Sequence, residues 1–224
     1  MMTRATLISV TLLLTATPSA HGEVVGSVDD WDQGAADIII LQREPVAIGS
    51  ISEDGTIELA LPEGFTLTQP FGQIFSCSAG TVEITNPEAT YVATPNSLIV
   101  ADIAAKKMFA PLTPADSEET ARAAPDMFQG DTPTGTLYQW MYFSAPAGLA
   151  GECVTATTYE TESGEPISRR VVYDADFDAG WNLMAVEIEE VARPTSMDRT
   201  IATLTLYRTI EALPEDTVWV YATR

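Results

Sequence analysis

From Leu137 onward, apolar and polar side chains alternate with a period of two. Val186 and Ile188 alternate with Glu187 and Glu189, and Leu204 and Leu206 with Thr203, Thr205 and Tyr207. A helix, with about 3.6 residues per turn, scatters such a pattern around its axis. A strand puts the two sets on opposite faces. The pattern predicts strands at Leu137–Ser144, Glu152–Thr161, Ile167–Phe177, Trp181–Val191, Thr200–Ile210 and Thr217–Thr223. Turn-forming residues separate them, as in an antiparallel sandwich or meander. Tyr138, Trp140 and Tyr142 share one face of the first of these strands, a stripe that suits a sandwich core.

The N-terminal half is also β-prone. Strands are expected at Gly26–Trp31, Asp37–Arg43, Ala47–Ile51 and Ile57–Leu61, then at Thr81–Thr85, Tyr91–Thr94 and Leu98–Ile103. Asp54-Gly55 between two of these runs is a hairpin signal, because glycine takes positive φ without steric cost. A short helix is expected to begin at Ala104–Met108 and a helical turn at Ser117–Ala123. Residues 111–136 carry four prolines and few large apolar side chains, so they read as a Pro-rich linker or long loop. The organisation expected is a signal peptide over 1–22, an N-terminal β domain over 23–110, the linker over 111–136 and a C-terminal antiparallel β domain over 137–224. A single continuous sandwich is the alternative.

The first residues read as a secretory leader: Arg4, then the uncharged apolar run Ala5–Thr15, then small residues around Ala20 and Gly22. Cuts after Ala20 and after Gly22 both fit. The apolar run is shorter than the roughly 20 residues a spanning helix needs, and no later segment is long and apolar enough. The chain therefore reads as secreted or periplasmic, with no transmembrane segment. Two cysteines in an oxidising compartment, Cys77 and Cys153, are expected to pair as a disulfide.

Charge and histidine content remove whole classes of function. With 32 acidic and 11 basic residues the net charge is −21, which repels nucleic acid. The single histidine, His21, lies in the leader region. Ser-His-Asp triads, Cys-His dyads and histidine metal sites are therefore excluded. No phosphate loop, dinucleotide fingerprint or nucleophile elbow is present.

Gly26-Ser27-Val28 with Trp31, Gly49, Asp54-Gly55-Thr56 and the turn Gly180-Trp181-Asn182 resemble motifs of uncharacterised bacterial exported proteins and lipoproteins. The resemblance implies a β-rich envelope protein and carries no established activity. The Asp-Gly-Thr hairpin alone makes the N-terminal part similar to transthyretin-type sandwiches.

Two candidate sites stand out. Asp174, Asp176 and Asp178 alternate at a strand end before Gly180, and carboxylates on one face suit calcium, which takes oxygen ligands. Asp29, Asp30 and Asp32 surround Trp31, and acid beside an aromatic ring suits a sugar. The reading is a non-catalytic exported β protein that acts by binding or structural interaction, with a protein or a glycan as partner. The alternatives are a histidine-independent glycan-active enzyme using paired carboxylates and a calcium-stabilised structural module.

Overall fold

The computed structural model describes residues 23–41, 44–64, 69–73, 77, 79–94, 98–126 and 130–222. The expected leader, its cut sites and His21 lie outside the described residues. The protein is mostly β, with one short helix and a large mixed sheet.

Strands β1 (Glu23–Ser27), β2 (Ala36–Leu41), β3 (Pro45–Ile51) and β4 (Thr56–Leu59) pair antiparallel in the order β1-β4-β3-β2. The β3–β4 hairpin turns where Asp54-Gly55 predicts. Gly55 has φ +86°, its N–H bonds Ser52 O at 3.0 Å, and the Asp54 carboxylate accepts from Thr56 N–H at 3.1 Å. The sheet continues through β8 (Leu98–Asp102) into β9 (Lys107–Ala115). Between these two strands the expected helix at Ala104–Met108 is replaced. Residues 103–106 form a tight turn with Lys106 at φ +54°, and Lys107 and Met108 already belong to β9. Strand pairing on both sides overrides local helix propensity there.

The C-terminal half contains β10 (Gly135–Phe143), β11 (Ala147–Glu160), β12 (Pro166–Phe177), β13 (Gly180–Ala192) and β14 (Ile201–Ile210). The order β10-β13-β14-β12-β11 continues onto β6 (Ala79–Thr85), while β7 (Thr90–Ala93) lines the other side of β10 and pairs with the short β5 (Gln69–Pro70). This arrangement departs from the all-antiparallel expectation at one place. β14 pairs parallel with β12, from Arg170↔Leu204 to Asp174↔Arg208, and antiparallel with β13. It therefore wedges between two strands joined by a short turn.

The hydrogen bonding crosses the expected domain division. β6 and β7, from the N-terminal stretch, pair with β11 and β10. The final strand β15 (Val218–Tyr221) pairs with β9, and Trp219 packs into the N-terminal core. The Pro-rich segment 111–136 is no free spacer. Its first residues complete β9, where Leu112, Thr113 and Ala115 are fully buried. Helix α1 (Glu118–Ala123) follows, capped by the Ser117 hydroxyl, which accepts from Thr120 N–H at 3.2 Å. Both prolines are taken into the ladders, Pro111 opposite Ile99 of β8 and Pro114 opposite Trp219 of β15.

Two hydrophobic cores lie on opposite faces of β10. One face presents Leu137, Met141 and Phe143 to a core built on Phe71, Phe177, Met184 and Val186. The other presents Trp140 to a core of Ile38, Ile48, Ile57, Leu98 and Trp219. Trp140 stacks on Trp219 with centroids 6.1 Å apart, and Tyr142 meets Trp181 edge-on at 5.4 Å. The aromatic stripe is thus core, as its spacing suggests.

Cys77 and Cys153 form a disulfide with Cα atoms 5.5 Å apart, linking the segment before β6 to β11 across 76 residues of sequence. Among the described residues, no helix is long and apolar enough to cross a membrane.

Truncating Trp140 removes the side chain through which β10 holds the N-terminal core. Trp140→Ala is expected to destabilise by about 3–5 kcal/mol in guanidinium unfolding. Val24→Ala, at an exposed apolar position, should stay within about 0.5 kcal/mol of wild type.

Candidate binding site

The curled sheet β7-β10-β13-β14-β12-β11-β6 has a concave face. Odd-numbered residues of β10, β12 and β14 point into it, with Met184, Val186 and Ile188 of β13. Val186 pairs with Leu137 on one side and with Tyr207 on the other, and Tyr207 pairs with Tyr173. One end of this hollow is lined by aromatic rings. Phe143 stacks on Phe177 at 4.3 Å, and Phe71 meets Phe143 edge-on at 5.0 Å.

Two chambers remain in the hollow, and Tyr207 borders both. The inner one, about 220 Å³, lies against Phe71, Met141, Leu149, Phe177 and Met184, with Gln139 as a polar side chain in its wall. The outer one, about 210 Å³, lies against Leu137, Val186, Ile188, Thr205 and Met197, and Arg169 and Arg199 stand on its border. Tyr207 stacks on Tyr173 at 5.4 Å between the chambers. Burial pushes the Tyr207 phenol above its ordinary pKa, against the opposing pull of the Arg169 charge. Tyr173 is raised to about 12, by burial first and by Tyr207 second. Both phenols are therefore neutral at physiological pH, and each offers an O–H for hydrogen bonding.

The loop from Arg193 to Thr200 borders the outer chamber and is tied down at both ends. Thr195 N–H donates to Glu160 O at 3.0 Å. Asp131 accepts from Thr200 N–H at 2.7 Å and from Arg193 at 3.1 Å. The Thr200 hydroxyl takes the Thr132 N–H at 2.9 Å and returns a bond to Thr132 O at 2.9 Å. The Thr200 backbone N–H, first, and the Arg193 charge hold the Asp131 carboxyl below its ordinary pKa. These bonds fix the loop that carries Met197 and Arg199.

The three aspartates of the acidic triplet occupy different surroundings. Asp174 and Asp176 lie exposed on the convex face of β12, and Asp178 sits in the turn beyond it. Extended chain spaces successive same-face residues by about 6.6 Å, so a shared ion would need the side chains to lean toward one another. Asn182 uses its side chain on the turn itself, accepting from Asp178 N–H at 2.8 Å and donating to Asp178 O at 2.9 Å. Among the described residues no group of three or more acidic, histidine or cysteine side chains is placed to hold a metal.

Asp29, Asp30 and Asp32 border a separate, polar cleft of about 530 Å³, shared with Trp31, Glu118 and Trp219. Trp31 packs edge-on against Tyr221 at 5.0 Å, and its indole N–H bonds Gly34 O at 2.7 Å. Its polar atom is thus committed within the fold, and the ring serves as wall. Asp54 and Asp131 are both held below the ordinary carboxyl pKa, Asp54 through the Ser52 hydroxyl first. A general acid needs the opposite direction.

Sequence reasoning missed the concave site. One signal was present. With 11 basic residues in 224, Arg169-Arg170 within an alternating strand necessarily sends one cation to each face. Compared with family models, curated proteins and solved structures, the chain matches none.

Asp131 stabilises the loop fully above the ordinary carboxyl pKa of 3.8, and this contribution falls away as pH drops through its lower folded value. Asp131→Asn is expected to speed hydrogen exchange of the 193–200 amides at neutral pH. It should also flatten their acid dependence below about pH 4.

Proposed function

We propose that the chain is an exported, non-catalytic binding protein that takes a small, largely apolar ligand in the concave face of its C-terminal sheet. The carrying observation is the pair of chambers on either side of Tyr207, walled by apolar and aromatic side chains from six strands. Binding pockets are typically concave and apolar with a few placed polar groups. Here those groups are Gln139, Thr205, the two tyrosines and the two arginines. Each chamber alone falls short of the roughly 300 Å³ at the small end of ligand pockets, so a ligand spanning both requires Tyr207 to yield. Export is supported by the leader pattern, and the disulfide is compatible with an oxidising compartment.

The enzyme alternative finds less support. Among the described residues no aspartate or glutamate borders either chamber, which gives a paired-carboxylate reaction no support there. The acidic cleft by Trp31 has carboxylates, but its ring is fixed as wall.

A neutral naphthylamine dye, which brightens on leaving water, tests the reading. Saturable one-to-one binding is expected, and Thr205→Trp, which fills the outer chamber, should abolish it while keeping the wild-type melting temperature. Absence of saturable binding to the wild-type protein contradicts the proposal.

A further inference from the structure

We infer that the inner chamber takes a neutral aromatic ring bearing a carboxamide-type group, and that Gln139 is the residue that recognises that group. This inference deepens the binding reading above and rests on it.

Gln139 breaks the pattern of its strand. The face of β10 that looks into the hollow carries Leu137, Met141 and Phe143. Alternation puts Gln139 on that same face, between Leu137 and Met141 and opposite Met184 of β13. The residue is only 9% exposed, and among the described residues its amide has no hydrogen-bond partner. Other buried polar side chains are served within the fold. The Thr94 hydroxyl accepts from Trp140 N–H at 3.0 Å, and the Thr120 hydroxyl donates to Thr134 O at 3.3 Å. Buried polar groups are normally paired, and an exception calls for a reason. Gln139 borders the inner chamber, so the partner of its amide is whatever occupies that chamber.

An amide presents a donor and an acceptor side by side. A group that answers both at once carries an acceptor and a donor of its own, as a carboxamide does. A charged group does not suit the place. Among the described residues no lysine, arginine, aspartate or glutamate borders this chamber, so an ion would leave water without a counter-charge.

Size and wall chemistry point to a ring. The chamber holds about 220 Å³. A cavity of about 150 Å³ lined by leucine, isoleucine and phenylalanine takes up benzene, so the remaining space here suits one small substituent. The walls are rings and thioethers, among them Phe71, Tyr91, Phe177 and Tyr207 with Met141 and Met184. Aromatic guests gain edge-to-face and sulfur contacts from such walls beyond the area they bury. Any further part of the ligand continues past Tyr207 into the outer chamber.

NMR titration of the full-length, disulfide-bonded protein with benzamide, toluene and benzoate tests this. The Met141 and Met184 methyl signals report entry to the chamber. The Gln139 side-chain NH₂ signals, identified by their loss in Gln139→Met, report the bond. Benzamide is expected to shift both sets with one saturation curve, toluene to shift the methyls alone, and benzoate to bind more weakly than benzamide by a factor on the order of tenfold. Gln139→Met keeps the length of the side chain and removes the amide. It should weaken benzamide on the order of tenfold and leave toluene as tight or tighter. If benzamide saturates the methyl shifts while the Gln139 NH₂ signals stay in place, water serves the amide and the inference is overturned. Equal effects of Gln139→Met on benzamide and toluene, or benzoate entering as readily as benzamide, also overturn it. In each of these cases saturable dye binding leaves the binding reading standing. If neither the dye nor any of the ring probes binds, both fall.

Discussion

Strand β10 is buried on both faces from Leu137 to Met141, and the rest of the architecture follows from that burial. A strand in an antiparallel sheet usually has one wet face. Here Trp140 looks into the N-terminal core and Leu137, Met141 and Phe143 look into the C-terminal one. Large apolar groups on both sides can leave water only if a sheet covers each face. The two halves of the chain supply these covers. β13 shares the role, with Leu183 and Trp181 facing one core and Met184 and Val186 the other. The chain termini add to the same wall, since Trp219 of the last strand donates its indole N–H to Val25 O of the first, at 3.3 Å.

A doubly covered wall also explains where space is left. The N-terminal cover packs densely, with Ile38, Ile48, Ile57 and Val100 fully or almost fully buried. The C-terminal cover is one sheet that must bend around its own core. It contains β14 inserted parallel to β12 and bulges in β13 between Ile188 and Val191. Bulges bend strands, and a bent sheet leaves a hollow that side chains fill only in part. Phenylalanines line one end. Toward the other end the wall turns to Thr205, Arg169 and Arg199.

Much of the strand layout was legible in the sequence, and the pairing was not. Asp54-Gly55 marked its hairpin because the turn chemistry is local, and Ser117 marked α1 because capping is local. The Ile38–Leu41 run looked like a buried strand, and Ile38, Ile39 and Ile40 are buried while Leu41 is exposed. What failed was non-local. The prolines of 111–136 suggested a spacer, but Leu112 and Ala115 find partners in β15 more than one hundred residues away. Alternation along β12 and β14 told which residues share a face, yet could not say that the two strands run parallel and adjacent. The site depends on that adjacency. Arg169 and Tyr207 belong to one hollow only because β14 enters between β12 and β13. For the acidic triplet, alternation placed Asp174 and Asp176 on one exposed face, while the turn that holds Asp178 was not legible.

The central claim is that β10 makes one cooperative unit of two halves that the sequence suggests are separate. Native-state hydrogen exchange through a guanidinium series tests it most directly. If β10 is the shared wall, the slowest amides of β2–β4 and those of β11–β14 converge on a single global unfolding free energy, with Leu137–Met141 among the best protected. If the two halves lose protection at different denaturant concentrations, with β10 following only one of them, the shared-wall account is wrong.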